Sequence, residues 1–185
     1  EIRMREKIAS LPDGDVYYED YLETFGPDGL EPLLLPLKLS IKGEHLTADF
    51  TGASSQVPAP VNSTLAVTAA SVFITLKSAL DPKHALNHGS FRPVTVIAPE
   101  GTIVNVTHPA PAGSHGEIRK RVIACMLGAL SQICPELISA DIHRTSFHNL
   151  IGGIDPKTGQ EFVHYEWSAG GNGGFQGADG PSVMA

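Results

Sequence analysis

The sequence predicts a mixed α+β fold: an antiparallel meander, then two core helices, then an irregular glycine-rich end. Three observations carry this expectation. Leu33, Leu35, Leu37, Leu39 and Ile41 alternate with Lys38, Ser40 and Lys42, the period-two pattern of a strand buried on one face. Two later stretches space their apolar residues at three and four, as a core-facing helix does. Beyond the second, glycine and asparagine crowd Asn149-Leu150-Ile151-Gly152-Gly153, Ala169-Gly170-Gly171-Asn172-Gly173-Gly174 and Gly177-Ala178-Asp179-Gly180, a composition of loops and close backbone approach.

The elements follow in order. Ile2, Arg5-Glu6 and Ile8-Ala9 suit a short amphipathic helix, stopped by the turn signal Leu11-Pro12-Asp13-Gly14. Val16, Tyr18, Asp20 and Leu22 alternate against Tyr17, Glu19, Tyr21 and Glu23, which predicts a half-exposed strand. A loop is expected at Gly26-Pro27-Asp28-Gly29. The strand from Leu33 to Ile41 carries Pro36, which suggests an edge position. Lys42-Gly43-Glu44 turns it back into residues 45–50, completing the meander. Val57-Pro58-Ala59-Pro60 is an extended connector, placing the meander part at 1–57 and the helix and strand part at 58–185.

In the second part, Asn62 or Ser63 is positioned to cap a helix with Leu65, Ala69, Val72, Phe73, Leu76 and Leu80 on its stripe. Asp81-Pro82 ends it. Residues 94–97 and 102–106 read as two short strands around Pro99-Glu100-Gly101. A second helix is expected to open at Ser114-His115-Gly116-Glu117 through a capping box, with Ser114 and Glu117 satisfying each other's backbone N–H groups. Ile118, Val122, Cys125, Met126, Ala129, Leu130 and Ile133 form its buried stripe up to Pro135.

Composition narrows the function classes. The 185 residues, 42% hydrophobic and 18% charged, suit one globular domain or a large piece of one. A net charge of -7 and a pI near 5.5 exclude nucleic acid as the main partner, since only Arg119-Lys120-Arg121 forms a basic cluster. The most apolar stretch, residues 64–80, contains Thr, Ser and Lys and is short for a membrane span. Cys125 and Cys134 stand about 13 Å apart along a helix, too far to bridge, and read as buried thiols. A cytoplasmic protein without a membrane partner is expected. The chain opens already in helical pattern at Glu1-Ile2-Arg3 and stops at Val183-Met184-Ala185 just after the glycine-rich run, so a fragment of a longer subunit is expected.

Several short motifs then give a resemblance. Asp49-Phe50-Thr51-Gly52, Gln56, Pro60-Val61-Asn62, Phe91-Arg92-Pro93 and Ile97-Ala98-Pro99-Glu100-Gly101 come in the order of the hydantoinase B/oxoprolinase family. Leu127-Gly128-Ala129-Leu130, Pro135-Glu136 and the closing glycines extend the match over nearly the whole chain. The chain therefore resembles the C-terminal half of a B-type subunit. The resemblance implies ATP-dependent opening of a cyclic amide (a hydantoin, 5-oxoproline or a lactam), with ATP-dependent carboxylation of a ketone as the alternative. It also implies a hydantoinase A-type partner that binds ATP with Mg, and a divalent metal held, where present, by the half upstream of Glu1. A non-catalytic assembly role is a third reading. Glu117 is kept where many members read Gly-Asn-Val-Glu-Thr, but its neighbours here are Ser114-His115-Gly116 and Ile118-Arg119, so the substrate stays open.

The residues also point to a site. His115, Glu117 and Arg121 sit at a helix start, where backbone N–H groups and the dipole favour an anion. Cations in that first turn oppose the dipole, so either a bound anion or an acidic neighbour must account for them. His148-Asn149 beside Gly152-Gly153 can orient a carbonyl or an attacking water, or simply pack on the tail. Asp49 at a strand end is either a functional carboxylate or the cap of the turn at Gly52. His115, Glu117, Arg121, His148 and Asn149 are expected to converge near the glycine-rich tail, and Asp49 completes the candidate set. His84 and His88 lie in a loop without a third ligand, so no metal is expected on this chain's residues.

Overall fold

The computed structural model describes residues 1–23, 31–145, 147–168 and 170–182; the loop expected at residues 26–29 lies outside them. Helix α1 (Ile2–Ala9) leads into three strands, β1 (Gly14–Leu22), β2 (Leu33–Lys42) and β3 (His45–Asp49). Helix α2 (Leu65–Leu80) crosses over to β4 (Val94–Ile97), and α3 (Gly116–Ser131) follows. The sheet order is β1-β2-β3-β4, with β4 parallel to β3 and the other pairings antiparallel. The expected meander is therefore present, and α2 makes the crossover that a parallel neighbour requires.

Register explains why one face of this sheet is the core. Val16, Tyr18, Asp20 and Leu22 stand opposite Leu39, Leu37, Leu35 and Leu33. Leu46 and Ala48 stand opposite Ile41 and Leu39, and Val94 and Val96 fall in line beyond them. With a side-chain period of two, this one register puts the apolar residues of all four strands on a single face. Helix α3 lies across β1 and β2 on that face and packs against α2. Ile118, Val122, Cys125, Met126, Ala129 and Leu130 are buried there, as the periodicity predicts. Burial pushes the Cys125 and Cys134 thiols up, so both are inert core groups.

Four local expectations are corrected. Strand β2 is an inner strand, not an edge. Pro36 is tolerated because its missing N–H would point, like that of Leu34, to the β3 side, where pairing begins only at Lys38. Residues 102–106 are not a strand. Asn105 N donates to Thr102 O at 3.1 Å and Ile103 N to Ser54 O at 3.0 Å, and Ile103 and Val104 are fully buried plugs of a folded loop. The cap of α2 is Thr64, whose hydroxyl accepts from Val67 N at 3.5 Å, and Leu65 is exposed. Asn62 does different work: its buried amide accepts from Val57 N and donates to Val57 O, Ala59 O and Pro111 O, at 2.7–2.9 Å. It staples the connector before α2 to the loop before α3.

The fourth correction concerns the start of α3. The helix is real, but no capping box forms; His115 is the N-cap, already in helical conformation, with no side-chain cap bond. The chain enters α3 through a turn in which Glu117 N donates to Ser114 O at 3.1 Å. The N–H that the Ser114 hydroxyl was expected to satisfy is thus taken by Ser114's own carbonyl.

Past α3 the end of the chain is more regular than expected. Strands β5 (Phe147–Ile154) and β6 (Glu161–Ser168) form a separate antiparallel hairpin. Its turn is held by Lys157 N on the Asp155 carboxylate at 2.8 Å and by Gly159 at φ 68. Residues 170–182 are irregular and packed. A Cβ on Gly173 would stand 2.4 Å from the Ala140 carbonyl carbon, and one on Gly170 2.0 Å from the His143 ring, so these glycines permit close approach of the chain to itself.

Candidate functional site

A cleft of about 890 Å³ opens where the end of β1, the start of α3 and the hairpin meet. Its walls include His115, Glu117, Arg119 and Arg121 from α3 and its entry turn, and His148, Tyr165 and Trp167 from the hairpin. Four of the five residues expected to converge therefore come together: His115, Glu117, Arg121 and His148. Asn149 and Asp49 do not join them. Along β5 alternate residues face opposite ways, so His148 and Leu150 line the cleft while Asn149 stands on the other face. Asp49 ends β3 on the outward face of the sheet, and its Oδ1 accepts from Thr51 N at 2.8 Å and Thr51 Oγ1 at 2.6 Å. That is the turn-capping geometry.

The glycine-rich tail contributes nothing to these walls among its described residues. It packs on residues 140–143 and lends Asn172 and Phe175 to a different, more apolar hollow beside Ile74, Leu137 and Ile142. The hairpin occupies the place expected of it.

Two of the cations of α3, Lys120 and Arg121, have partners within the chain. Arg121 Nη1 lies 3.2 Å from Asp20 Oδ2, and Arg144 Nη1 lies 2.7 Å from Asp20 Oδ1. Arg144 also pairs with Asp141. Lys120 Nζ donates to Thr145 O at 2.6 Å. An acidic neighbour, Asp20, thus holds Arg121 against the dipole. Asp20 is 8% exposed and shared between two guanidinium groups. Arg121 Nε is buried and has no hydrogen-bond partner among the described residues.

Sequence reasoning missed Asp20 and Arg144, and the contact of Tyr165 with His148. Asp20 did leave a signal in the sequence: an acid on the inward face of an alternating strand needs a buried cation. Tyr165 is brought to His148 by the hairpin register, which stands Leu150 opposite Tyr165 and His148 opposite Trp167. The Tyr165 hydroxyl is 2.6 Å from His148 Nδ1. This contact orients the ring through Nδ1.

Chemically the cleft offers two imidazoles, two glutamates and two arginines beside an aromatic wall. Such a set can move a proton and stabilise charge developing on a carbonyl oxygen. Among the described residues no group of three His, Cys, Asp or Glu stands close enough to hold a metal ion. His84, the other candidate ligand, instead lies against the Asp81 carboxylate.

An α+β unit with a polar, histidine-bearing cleft and no membrane-crossing helix among its described residues defines the general class. The family follows from comparison. The hydantoinase B/oxoprolinase family model matches residues 1–185, and the chain belongs to that family. It is 30% identical over 192 residues to a putative D-/L-hydantoinase B-type subunit of Pseudomonas sp. (strain NS671), covering 98% of this chain and 32% of that protein. It is 26% identical over 156 residues to the 5-oxoprolinase PfmaA of Pestalotiopsis fici, covering 80% of this chain and 12% of that protein. Its fold matches the ATP-dependent caprolactamase from Pseudomonas jessenii with a TM-score of 0.83 at 25% identity, over 98% of this chain and 32% of that one. Acetone carboxylase in its nucleotide-free structure gives a TM-score of 0.84 at 16% identity, over 100% of this chain and 27% of that one, a likeness of fold. The chain thus spans a third or less of these relatives.

Proposed function

We propose that this chain supplies part of the substrate site of an ATP-dependent enzyme that opens a cyclic amide: a hydantoin, 5-oxoproline or a lactam. The observation that carries the reading is the 30% identity to the hydantoinase relative along 98% of the chain. The cleft suits the chemistry. Opening the ring adds water across the C–N bond; the carbonyl oxygen gains negative charge, and the leaving nitrogen needs a proton. Arg119, Arg121 and the N–H groups at the start of α3 are donors for the oxygen, and His115 and His148 are candidates to carry the proton. Glu117, on the same wall, is a candidate to polarise either imidazole or a water.

In this reading ATP with Mg is held by a hydantoinase A-type partner, and any divalent metal by a part of the polypeptide outside this chain. A cytoplasmic location fits two free, buried thiols. Carboxylation of a ketone is the second reading, favoured by the fold shared with acetone carboxylase. The two differ in whether the activated intermediate meets water or a carboxyl donor. ADP release by the complete subunit with its ATP-using partner separates them. Hydantoins, 5-oxoproline or lactams should stimulate it without bicarbonate. Stimulation only by ketones together with bicarbonate would transfer the proposal to carboxylation, and none with either class would leave the assembly role.

A further inference from the structure

The hairpin carries an apolar face that no described residue covers. His148, Leu150, Gly152 and Ile154 of β5 and Glu161, Val163, Tyr165 and Trp167 of β6 share one side by register. On that side Leu150 is 70% exposed, Ile154 66%, Val163 75%, Tyr165 55% and Trp167 53%. Five large side chains at these exposures present several hundred Å² of roughly continuous apolar surface, as much as the largest patch an ordinary monomer leaves open. The strands meanwhile pack chiefly on each other, and a two-stranded hairpin with no third layer is marginal in water.

We propose that this face is the seat of the remainder of the same polypeptide, the part that relatives carry beyond the stretch matched here. Two arguments select this occupant. The hydantoinase relative and the caprolactamase chain are about three times as long as the matched stretch, which covers 32% of each. Relatives carry chain of that length beside the matched stretch. The face also needs permanent cover, because the register that brings Tyr165 to His148 depends on the hairpin being held. Surfaces buried permanently are the more apolar ones, while those that meet a partner transiently are more polar. The lower end of this face, at His148, Leu150, Tyr165 and Trp167, is also a wall of the cleft.

The test is accessibility in the complete subunit, purified without its ATP-using partner and held dilute. Val163→Cys and Leu150→Cys should react with a thiol reagent at least tenfold more slowly than Lys157→Cys at the exposed turn, and Cys125 and Cys134 are buried and add little background. Hydrogen exchange of residues 147–168 in the unsubstituted subunit reads the same property if a variant fails to fold, and should be slow. Fast labelling and fast exchange would overturn the proposal. So would protection that appears only on adding the ATP-using partner, or only as concentration rises, since these assign the face to the partner or to a second copy.

Discussion

Asp20 is the residue on which the cleft's geometry depends. It is nearly buried, it binds Arg121 and Arg144 together, and it stands on the inward face of β1 opposite Leu35. Replacing it with Asn keeps the volume and removes the charge, leaving two partly buried guanidinium groups to repel each other. Breaking a buried pair costs about 3–5 kcal/mol. Arg144 is a third exposed and keeps Asp141, so the expected loss for Asp20→Asn is about 2 kcal/mol, read from denaturant midpoints. Asp81 makes a second residue-scale prediction. Hydrogen bonds from Lys77 first, and then His84, lower its carboxyl from 3.8 to about 2. A depressed folded value stabilises the fold above pH 3.8, and that stability is lost as pH falls toward 2. Denaturation midpoints followed through that window should fall for the unsubstituted chain, and the Asp81→Asn chain should lack this part of the fall.

Among the elements, contact between α3 and β1 fixes the floor of the cleft. Gly128 is why they approach so closely: a Cβ there would stand 2.4 Å from the Tyr18 ring. Gly128→Ala should destabilise by about 1–2 kcal/mol despite alanine's better helix propensity. In a Tyr18→Ala background the same change should be neutral or stabilising, so a double-mutant cycle reads the contact directly. These elements were legible in the sequence because each has a strong period: alternation over β1 and β2, and three-and-four spacing over α3. The hairpin was not. Gly152 and Gly153 interrupt the apolar pattern of β5, although Phe162, Val163, Tyr165 and Trp167 with a turn at residues 155–160 were the strand signal to weigh against them. The same cause explains Asn149. Treated as loop neighbours, His148 and Asn149 would act together, but as strand neighbours they must face opposite ways. Ser114 was misplaced for a different reason: its carbonyl lay within reach of the Glu117 N–H, and a local turn satisfied that donor first. Asp49 caps its turn, one of the two readings the sequence offered.

At the scale of the whole molecule, the sheet, its helical layer and the hairpin bring residues distant in sequence to one cleft. Leu22 and Glu23 come from the end of β1, His115 to Arg121 open α3, and His148 to Trp167 come from the hairpin. Everything proposed for the chemistry rests on that convergence, because family membership does not say where in the polypeptide a reaction occurs. The decisive quantity is kcat/KM for cyclic-amide-dependent ADP release by the intact complex carrying single substitutions. His148→Ala and His115→Ala should each lower it at least tenfold, the scale on which a positioned acid or base acts. Asp49→Ala and Asn149→Ala, on other faces, should change it less than about twofold. If both histidine variants keep full activity while the complex opens its substrate normally, the cleft is not the site of ring opening and the chemistry belongs to another part of the polypeptide.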